Sequence, residues 1–379
     1  TRFEAGAGNA PIAVMEVKQM CGRAGRPGYD PYGEAILMAK SDADAEHLME
    51  DYLECYSENV MSKLGNEKTL RTHILGLIAT EDVSSVDDII EFLRETFYGC
   101  QSSLYGIEGA VENVVEFLTE EQMIADEDGI LSPLTFGKRV SDLYIDPESA
   151  VILRDAVTLI KDTTDDLMLL HAVASTPDVL GLYPKKADME YLNNLFDKYE
   201  GQFLMDVPDD VDYEFEYFLS SLKVACMALE WTEEKEEDAI TTEMGIGPGD
   251  IRSRVDNMEW LTYAMIEIAT IFRPEVVKRI RPMLTRLKYG VRNELLELVS
   301  LKGIGRAKAR TLYDRGLKTK EDIARTDAGT IASLPRFGAA LAKSLKEQTG
   351  SWNAASMYEA TPEPEPVDVE EVKVKRKVE

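Results

Sequence analysis

Apolar side chains recur at helical spacing along much of this chain. Residues 68–80, 84–96 and 111–121 each carry them three or four positions apart, which predicts amphipathic helices. A further helix is predicted to start within residues 42–46, and the helix at 84–96 begins at a serine, a residue that favours the N-cap. Residues 41–145 are therefore predicted to be mainly helical.

A short apolar segment at residues 123–134, interrupted by Asp128 and Gly129, follows these helices. An Asp-Gly pair between apolar residues predicts a tight hairpin turn. Helices followed by a small β-hairpin suggest a winged helix. Such a domain either binds DNA or acts as a scaffold inside a larger enzyme, and the pattern leaves both interpretations open.

Two more helical regions follow. Residues 147–290 predict a helical bundle with breaks at residues 176–178, 183–184, 207–209 and 245–249, and residues 291–348 predict a small basic helical unit. Beyond residue 351 the chain becomes rich in Pro and Glu and then basic, so it has little to bury and is predicted to be disordered. That tail either contacts DNA or a partner, such as a replication or repair protein, or only keeps the protein in solution.

The first forty residues read as the end of a domain. Residues 32–39 (YGEAILMA) follow a Gly/Pro turn and predict a short buried strand. This segment is too short to fold alone and the chain lacks an initiator Met. We therefore expect a fragment of a longer protein whose α/β domain begins before residue 1.

Composition argues against several classes of protein. The 379 residues contain no apolar run near the roughly 18 that a membrane span needs, and the amino terminus does not read as a signal peptide. The four cysteines and three histidines are scattered, without metal-ligand spacing. No metal site is predicted, and isolated thiols fit a reducing cytoplasm as the location.

Charge is distributed unevenly along the chain. The net charge of −28 argues at first against nucleic acid, yet residues 281–320 carry eleven Lys and Arg against three acids, a local charge of +8. Phosphate binding needs local positive charge rather than a positive total. Acidic residues crowd elsewhere, as in residues 230–238 (EWTEEKEED). The pattern favours a dedicated anion-binding surface, with a solvated basic face as the alternative.

Residues 19–28 (QMCGRAGRPG) carry the most specific motif. Two arginines three positions apart, with small residues between them, place two guanidinium groups on one side of a tight turn, as an arginine finger requires in order to meet charge on a γ-phosphate. The string closely resembles motif VI of superfamily-two helicases, especially the ski-like group. The resemblance implies that Gln19, Arg23 and Arg26 face ATP from the second of two RecA-like domains.

The remaining parts of an ATP site do not occur in the sequence. There is no G-x-x-x-x-G-K-[ST] loop and no DExH box, and these elements are what cradle the phosphates and Mg²⁺. We therefore expect ATP and Mg²⁺ to be cofactors of the longer protein, which would need its N-terminal RecA-like domain as a partner. This chain alone is expected to bind neither and to hydrolyse no ATP.

A long helix is predicted after the glycine-rich break at residues 245–249, with Asp250 as its N-cap. At about 100° per residue one apolar stripe forms, made of Ile251, Val255, Met258, Leu261, Thr262, Met265, Ala269 and Phe272. Trp260 falls on the side of the helix roughly opposite to this stripe. Arg252 lies at the edge of the face that carries Trp260, and Arg254 lies nearer the core. An exposed Trp can stack on bases of any sequence; the alternative is that it packs on a neighbouring helix.

The strings GIGPGDIR and EWL in this helix resemble the long helix of the archaeal HelQ-like DNA helicases. The resemblance implies that the helix lies along single-stranded DNA as a ratchet, with Trp260 touching bases. The arginine that accompanies this Trp in the family corresponds to Ser253 here. Arg252 and Arg254 are the candidates to replace it.

Residues 298–310 (LVSLKGIGRAKAR) have the helix-hairpin-helix pattern. Glycines at the hairpin let backbone N–H groups turn toward a phosphate, and the following helix adds its N-terminal dipole. The residues expected to bind the DNA backbone without reading sequence are Lys302, Gly303, Gly305, Arg306, Lys308 and Arg310. The alternative is a packing role. A weaker copy 33 residues later, residues 334–338 (LPRFG), lacks the first Gly and is predicted to be structural.

The predicted architecture is mainly α. It comprises the end of a second RecA-like α/β domain (1–42), a winged helix (43–145), a helical ratchet bundle (146–290), a helix-hairpin-helix domain (291–350) and a disordered tail (351–379). The resemblance implies the DNA-binding C-terminal part of an ATP-dependent 3′-to-5′ DNA helicase that acts on forked or lagging-strand DNA in replication-fork repair, with single-stranded and forked DNA as partners. The alternatives are a non-enzymatic DNA-binding or adaptor protein, or an RNA helicase of the same superfamily, whose relatives lack a terminal helix-hairpin-helix.

Overall fold

The computed structural model describes residues 2–4, 8–26, 28–101, 106–209 and 213–350. It divides into two compact units, residues 1–141 and residues 142–379. The predicted tail, residues 351–379, lies outside the described residues. Helices make up most of the described chain, which confirms the prediction of a mainly α protein. Across the described ranges, no helix combines the length and apolar character needed to cross a membrane.

The first unit consists of short helices and two hairpins. Its elements in order are β1 (Arg2–Glu4), β2 (Gly8–Ala10), α1 (Val14–Cys21), α2 (Asp42–Leu48), a π-helix (Met49–Glu54), α3 (Glu67–Ala79), α4 (Val86–Glu95), α5 (Phe97–Gln101), α6 (Ile107–Glu120), β3 (Ile124–Glu127), β4 (Ile130–Pro133) and α7 (Thr135–Leu143). β1 pairs antiparallel with β2, and β3 with β4.

The core of the first unit lies between α3, α4 and α6, beside the β3–β4 hairpin. Buried side chains that fill it include Ile74, Ile89 and Val111. The hairpin turns at Asp128 and Gly129, whose φ angles of 54° and 84° match the type I′ turn that an Asp-Gly pair favours. The predicted helices and hairpin are therefore confirmed, and they have the composition of a winged helix.

The predicted strand at residues 32–39 does not form. Its side chains Ile36 and Met38 are 80% and 90% exposed. A strand needs neighbours that accept its hydrogen bonds and cover its faces. The sheets found among the described residues are β1–β2 and β3–β4, and neither includes this segment. The prediction of a buried strand is wrong for this chain.

The second unit is helical throughout its described residues. Its elements are α8 (Pro147–Leu159), α9 (Asp166–Ala174), α10 (Met189–Lys198), α11 (Tyr213–Thr232), α12 (Glu237–Met244), α13 (Pro248–Phe272), a 3₁₀ turn (Pro274–Val276), α14 (Val277–Tyr289), a 3₁₀ turn (Asn293–Leu295), α15 (Leu296–Val299), α16 (Arg306–Asp314), α17 (Lys320–Arg325), α18 (Ala328–Ala332) and α19 (Gly338–Gln348). The predicted breaks at residues 176–178, 183–184 and 207–209 fall between helices, and the break at residues 245–249 extends into the first two residues of α13.

Helix α13 forms the centre of the bundle made by α8 to α14. It packs against α8, α9, α11, α12 and α14, and its predicted apolar stripe is buried except for Phe272. Its N-cap is Gly247 rather than the predicted Asp250. Asp250 lies three residues inside the helix, where its Oδ2 accepts a hydrogen bond from the Gly247 N–H at 2.9 Å. The carboxylate thus still satisfies a free donor at the helix start.

Residues 291–350, here called the hairpin domain, have a separate apolar core. Its buried members run from Val291 to Leu345 and include Leu301 and Ile304 of the first hairpin and Leu334 and Phe337 of the second. Two hairpins that bury equivalent apolar residues in one cluster make a compact helical unit. The hairpin domain is therefore able to keep its own packing even if its contacts with the bundle change.

Candidate nucleic-acid interface

The turn after α1 carries the three residues of the predicted ATP-facing motif. Gln19 lies near the end of α1, and Arg23 and Arg26 lie in the turn; all three are exposed. The backbone N–H of Arg26 donates to the Asp30 carboxylate at 2.8 Å, and the Arg26 guanidinium lies 3.4 Å from the same oxygen. Both arginines are accessible at the surface of the first unit, as a phosphate-facing role requires.

Two glycines make this turn closely packed. Gly25 has a φ of +80°, a conformation that favours glycine. A Cβ at Gly33 would lie 2.0 Å from the carbonyl oxygen of Ala24. Residues 24–25 and residues 32–33 pass so close to each other that neither glycine has room for a side chain. This close backbone packing supports the arginine turn.

Trp260 lies half-buried on α13. Its indole N–H donates to the carbonyl oxygen of Leu143 at 3.1 Å. Tyr263 follows less than one helical turn later and is exposed. Since the indole N–H already has a partner, Trp260 can meet a ligand through the ring and not through a hydrogen bond.

The two arginines proposed to accompany Trp260 differ in position. Arg252 is exposed and forms an ion pair with Asp256 at 2.9 Å. The Arg254 side chain is only 7% exposed, and its guanidinium donates to the Asp250 carboxylate at 2.9 Å and to the Gly181 carbonyl at 3.0 Å. These contacts fasten α13 to the loop after α9, and the burial of Arg254 disfavours it as a DNA ligand.

The outer side of α13 is poor in positive charge. Arg252 is accompanied there by three acids, Asp256, Glu259 and Glu267, none of which is buried. Coulomb repulsion from these carboxylates disfavours close phosphates. If DNA follows this helix, the attraction must come from stacking on aromatic rings and from charges elsewhere.

The first hairpin presents the predicted glycine turn at the surface. Gly303 has a φ of +89°, and Lys302, Gly303 and Gly305 are exposed. The Gln348 side chain holds this turn from α19: its Oε1 accepts from the Lys302 N–H at 2.7 Å, and its Nε2 donates to the Lys302 carbonyl at 3.2 Å. Lys308 reaches back to the Gly303 carbonyl at 3.1 Å. The hairpin is thus a fixed turn flanked by two lysines.

Arg306 and Arg310 make contacts within the second unit. Arg306 donates to the carbonyl oxygen of Lys235 at 2.8 Å. Arg310 forms ion pairs with Glu234 and with Glu294. Both arginines were predicted to bind DNA, but the structure gives their guanidinium groups protein partners. Sequence reasoning missed this because Lys235 and Glu234 precede them by 71 and 76 residues.

The second hairpin keeps the left-handed residue of the first despite its missing glycine. Arg336 occupies the position equivalent to Gly303, and its φ of +69° lies in the same left-handed region. Leu334 and Phe337 are buried as Leu301 and Ile304 are. The repeat is therefore a true hairpin, and Arg336 is an exposed cation on it that the sequence pattern did not single out.

Three family models match successive parts of the chain. A helix-turn-helix domain matches residues 33–125, the model described as archaeal helicase, domain 4, matches residues 167–290, and a SAM-like helix-hairpin-helix tandem matches residues 295–350. These matches agree with the winged helix, the helical bundle and the paired hairpins of the structure.

Curated relatives from three archaea carry the name ATP-dependent DNA helicase Hel308. The relative from Methanocella arvoryzae is 40% identical over 354 residues, which cover 92% of this chain and 48% of the relative. That from Pyrobaculum calidifontis is 38% identical, with 92% and 48% covered. That from Pyrococcus horikoshii is 33% identical, with 89% and 47% covered. The chain spans about half the length of these relatives, and its homologues are DNA helicases.

Proposed function

We propose that this chain is the DNA-binding C-terminal part of an ATP-dependent DNA helicase. The finer description is 3′-to-5′ unwinding of forked or lagging-strand DNA during fork repair, as the HelQ-like resemblance implies. The observation that carries the proposal is the fixed, exposed turn at Gly303 in a domain that matches a helix-hairpin-helix tandem. Relatives that are named DNA helicases align with 92% of this chain, and they support the same proposal.

The hairpin turn supplies the contact with the DNA backbone. Lys302 is exposed, and Lys308 lies beside the same turn, so both provide positive charge there. The glycines of the turn have no side chain, which allows the backbone to approach a phosphate closely. Such contacts carry no sequence information. They suit an enzyme that must move along DNA of any sequence.

Trp260 supplies the contact with bases. Base–aromatic stacking tolerates every base and is worth about 1–3 kcal/mol per base. The Trp260 N–H is bound to Leu143, which fixes the orientation of the ring at the surface of α13. Arg252 is the remaining candidate for the accompanying cation, because Arg254 is buried.

Gln19, Arg23 and Arg26 belong to the ATP-dependent step in the longer protein. Their exposure and the packed turn at Gly25 fit side chains that contact a γ-phosphate held by another domain. ATP with Mg²⁺ would be held there by the N-terminal RecA-like domain. The rest of the second RecA-like domain would cover the exposed apolar residues of segment 29–61, which include Tyr32, Ile36 and Met38.

A DNA-binding titration tests the proposal. Binding of this chain to a labelled single strand and to a fork is measured across a range of salt, for the wild type, Trp260→Ala and Trp260→Phe. We expect sequence-independent binding that weakens with salt. Trp260→Ala should weaken it by about 1–3 kcal/mol, while Trp260→Phe should retain most of the affinity because a ring remains although the bond to Leu143 is lost.

Two results would contradict parts of this proposal. Equal affinity of wild type and Trp260→Ala would remove α13 from the DNA path and leave the hairpin as the DNA contact. No binding by the wild type at low salt would mean that the hairpin domain serves a protein partner, as the adaptor alternative holds.

A further inference from the structure

The basic and acidic runs of the sequence meet in the structure. The positive stretch at residues 281–320 and the negative stretch at residues 230–238, here called the acidic turn, lie far apart in sequence. The acidic turn joins the end of α11 to the start of α12. Three arginines of the hairpin domain contact the acidic turn: Arg292, Arg306 and Arg310.

Arg310 and Glu234 form the most enclosed of these contacts. The Glu234 side chain is 12% exposed, and one of its oxygens is paired with the Arg310 guanidinium. Its other oxygen is buried without a hydrogen-bond partner among the described residues. Glu234 also has a φ of +64°, an unfavourable conformation for a residue with a side chain. The conformation of Glu234 therefore depends on its ion pair with Arg310.

Arg310 is in turn surrounded by carboxylates. Besides Glu234 it pairs with Glu294 at 2.9 Å. Burial alone would lower the pKa of Arg310, but the hydrogen bonds that Arg310 donates to the Glu234 and Glu294 carboxylates outweigh burial and raise the pKa. A DNA phosphate at this guanidinium would lie beside both carboxylates, and their negative charge would repel it.

Arg306 and Arg292 extend the contact on either side. The Arg306 guanidinium lies 5.3 Å from the centre of the Trp231 ring, a cation–π distance, and donates to the Lys235 carbonyl. Arg292 donates to the Glu233 carbonyl and pairs with its carboxylate, both at 3.1 Å. Each residue from 233 to 235 therefore contacts an arginine of the hairpin domain.

We infer that Arg306, Arg310 and Glu234 are positioning residues that dock the hairpin domain on the bundle, and that Arg306 and Arg310 do not bind DNA phosphates. The inference rests on the proposed function, because it concerns how the hairpin is oriented for DNA. Lys302, Gly303 and Lys308 then remain as the phosphate contacts, held at a fixed distance from Trp260. The acidic turn strengthens DNA binding although it carries the same charge as DNA.

Hydrogen exchange of the whole chain without DNA tests the docking. In Glu234→Ala and Arg310→Ala, amides of the acidic turn and of α16 should exchange at least several-fold faster than in the wild type. Amides in the separate core of the hairpin domain, such as those of Ile331 and Leu345, should keep their protection, which shows that the domain is still folded. Unchanged exchange at the acidic turn and α16 in both variants would overturn the docking role.

DNA binding by the same variants separates docking from charge. Glu237 is an exposed acid of the same run, so Glu237→Ala removes an equal charge without touching the arginines. We expect Glu234→Ala to weaken single-strand binding by about tenfold, since the hairpin and Trp260 no longer act at a fixed spacing. Glu237→Ala should leave binding unchanged or slightly stronger. Tighter binding by Glu234→Ala would overturn the inference and make the acidic turn an inhibitor that DNA displaces.

The salt dependence identifies the phosphate ligands directly. Each lost phosphate contact lowers the slope of log affinity against log salt by about one. Lys302→Ala should lower the slope, whereas Arg306→Ala and Arg310→Ala should keep the wild-type slope. A lower slope in the arginine variants would show that they bind phosphate. Absence of DNA binding by the wild type would refute the proposed function and leave the exchange result standing.

Discussion

His171 should make the stability of the bundle depend on pH. It is completely buried on α9, with its ring in edge contact with Phe203 and Phe218 at centroid distances of 5.2 and 4.5 Å. Its Nε2 is 3.4 Å from the Phe218 carbonyl, and its Nδ1 has no partner among the described residues. Burial among apolar rings disfavours the charged form and lowers the pKa of His171 from 6.5 to about 4, although the Phe218 carbonyl opposes this.

The lowered pKa fixes the sign and size of the effect. Between pH 6.5 and about 4 the unfolded chain binds a proton on this side chain that the folded chain does not. The free energy of unfolding therefore decreases as the pH falls through this window, and no further below it. Because one pKa unit corresponds to about 1.4 kcal/mol, the full loss is about 3 kcal/mol. This is a large part of the roughly 5–15 kcal/mol that stabilises a typical domain.

Urea unfolding at pH values from 7 to 4 measures the effect. Tryptophan emission reports on the bundle because Trp231 and Trp260 both lie in it, and Trp352 can be replaced by Phe to remove its signal. Wild type is compared with His171→Leu, which keeps an apolar side chain in the cavity and titrates no proton. The carboxylates titrate in both proteins, so the difference between the two curves isolates His171.

The wild-type protein should lose about 3 kcal/mol more than His171→Leu between pH 6.5 and 4. The absolute stability of the variant at pH 7 is not part of the test, because the substitution also changes packing. Parallel curves for the two proteins would refute the reasoning. They would show that the folded protein accepts the proton, which requires an acceptor for the Nδ1–H that the structure does not contain among its described residues.

Three substitutions test packing and backbone strain in the second unit by the same unfolding assay. Arg286→Ala removes a buried guanidinium that pairs with two carboxylates, and it should lower the free energy of unfolding by about 3–5 kcal/mol. The control Arg281→Ala changes an exposed arginine and should alter the free energy of unfolding by less than about 0.5 kcal/mol. Equal effects of the two substitutions would show that the ion pairs of Arg286 do not stabilise the bundle. Gly290→Ala should cost about 1–3 kcal/mol, because its φ is +61° and a Cβ would lie 2.7 Å from the Trp231 ring. Arg336→Gly should stabilise by up to about 1 kcal/mol, since its φ of +69° suits glycine; a loss would show that the Arg336 side chain makes a net favourable contact.

Local patterns predicted the secondary structure well. Helical periodicity located α3, α4 and α6, and Asp128 with Gly129 located the β3–β4 hairpin, because these signals come from residues a few positions apart. The helix-hairpin-helix pattern likewise predicted a turn with a left-handed glycine, and Gly303 has that conformation. The apolar stripe of α13 was correct in all but its last member, Phe272.

Predictions that depended on distant neighbours were less successful. The strand at residues 32–39 needs a sheet that the described residues do not contain, so an apolar run alone predicted it wrongly. Asp250 was predicted as the N-cap because Asp is a good capping residue, yet the helix begins at Pro248. The Asp250 carboxylate accepts the hydrogen bond of the Gly247 N–H from within the first turn. The lost glycine of the second hairpin did not change the left-handed conformation at that position, because packing of Leu334 and Phe337 holds Arg336 there.

The sequence by itself determined which elements form and where positive charge accumulates, since both follow from residue types and their spacing. Only the tertiary structure decided what each charge does. Arg254, Arg306 and Arg310 are as basic as Lys302 in the sequence, yet their partners are Gly181, Lys235 and Glu234, brought to them by folding. Folding thus gives the guanidinium groups of these three arginines contacts inside the protein, whereas Lys302 is exposed.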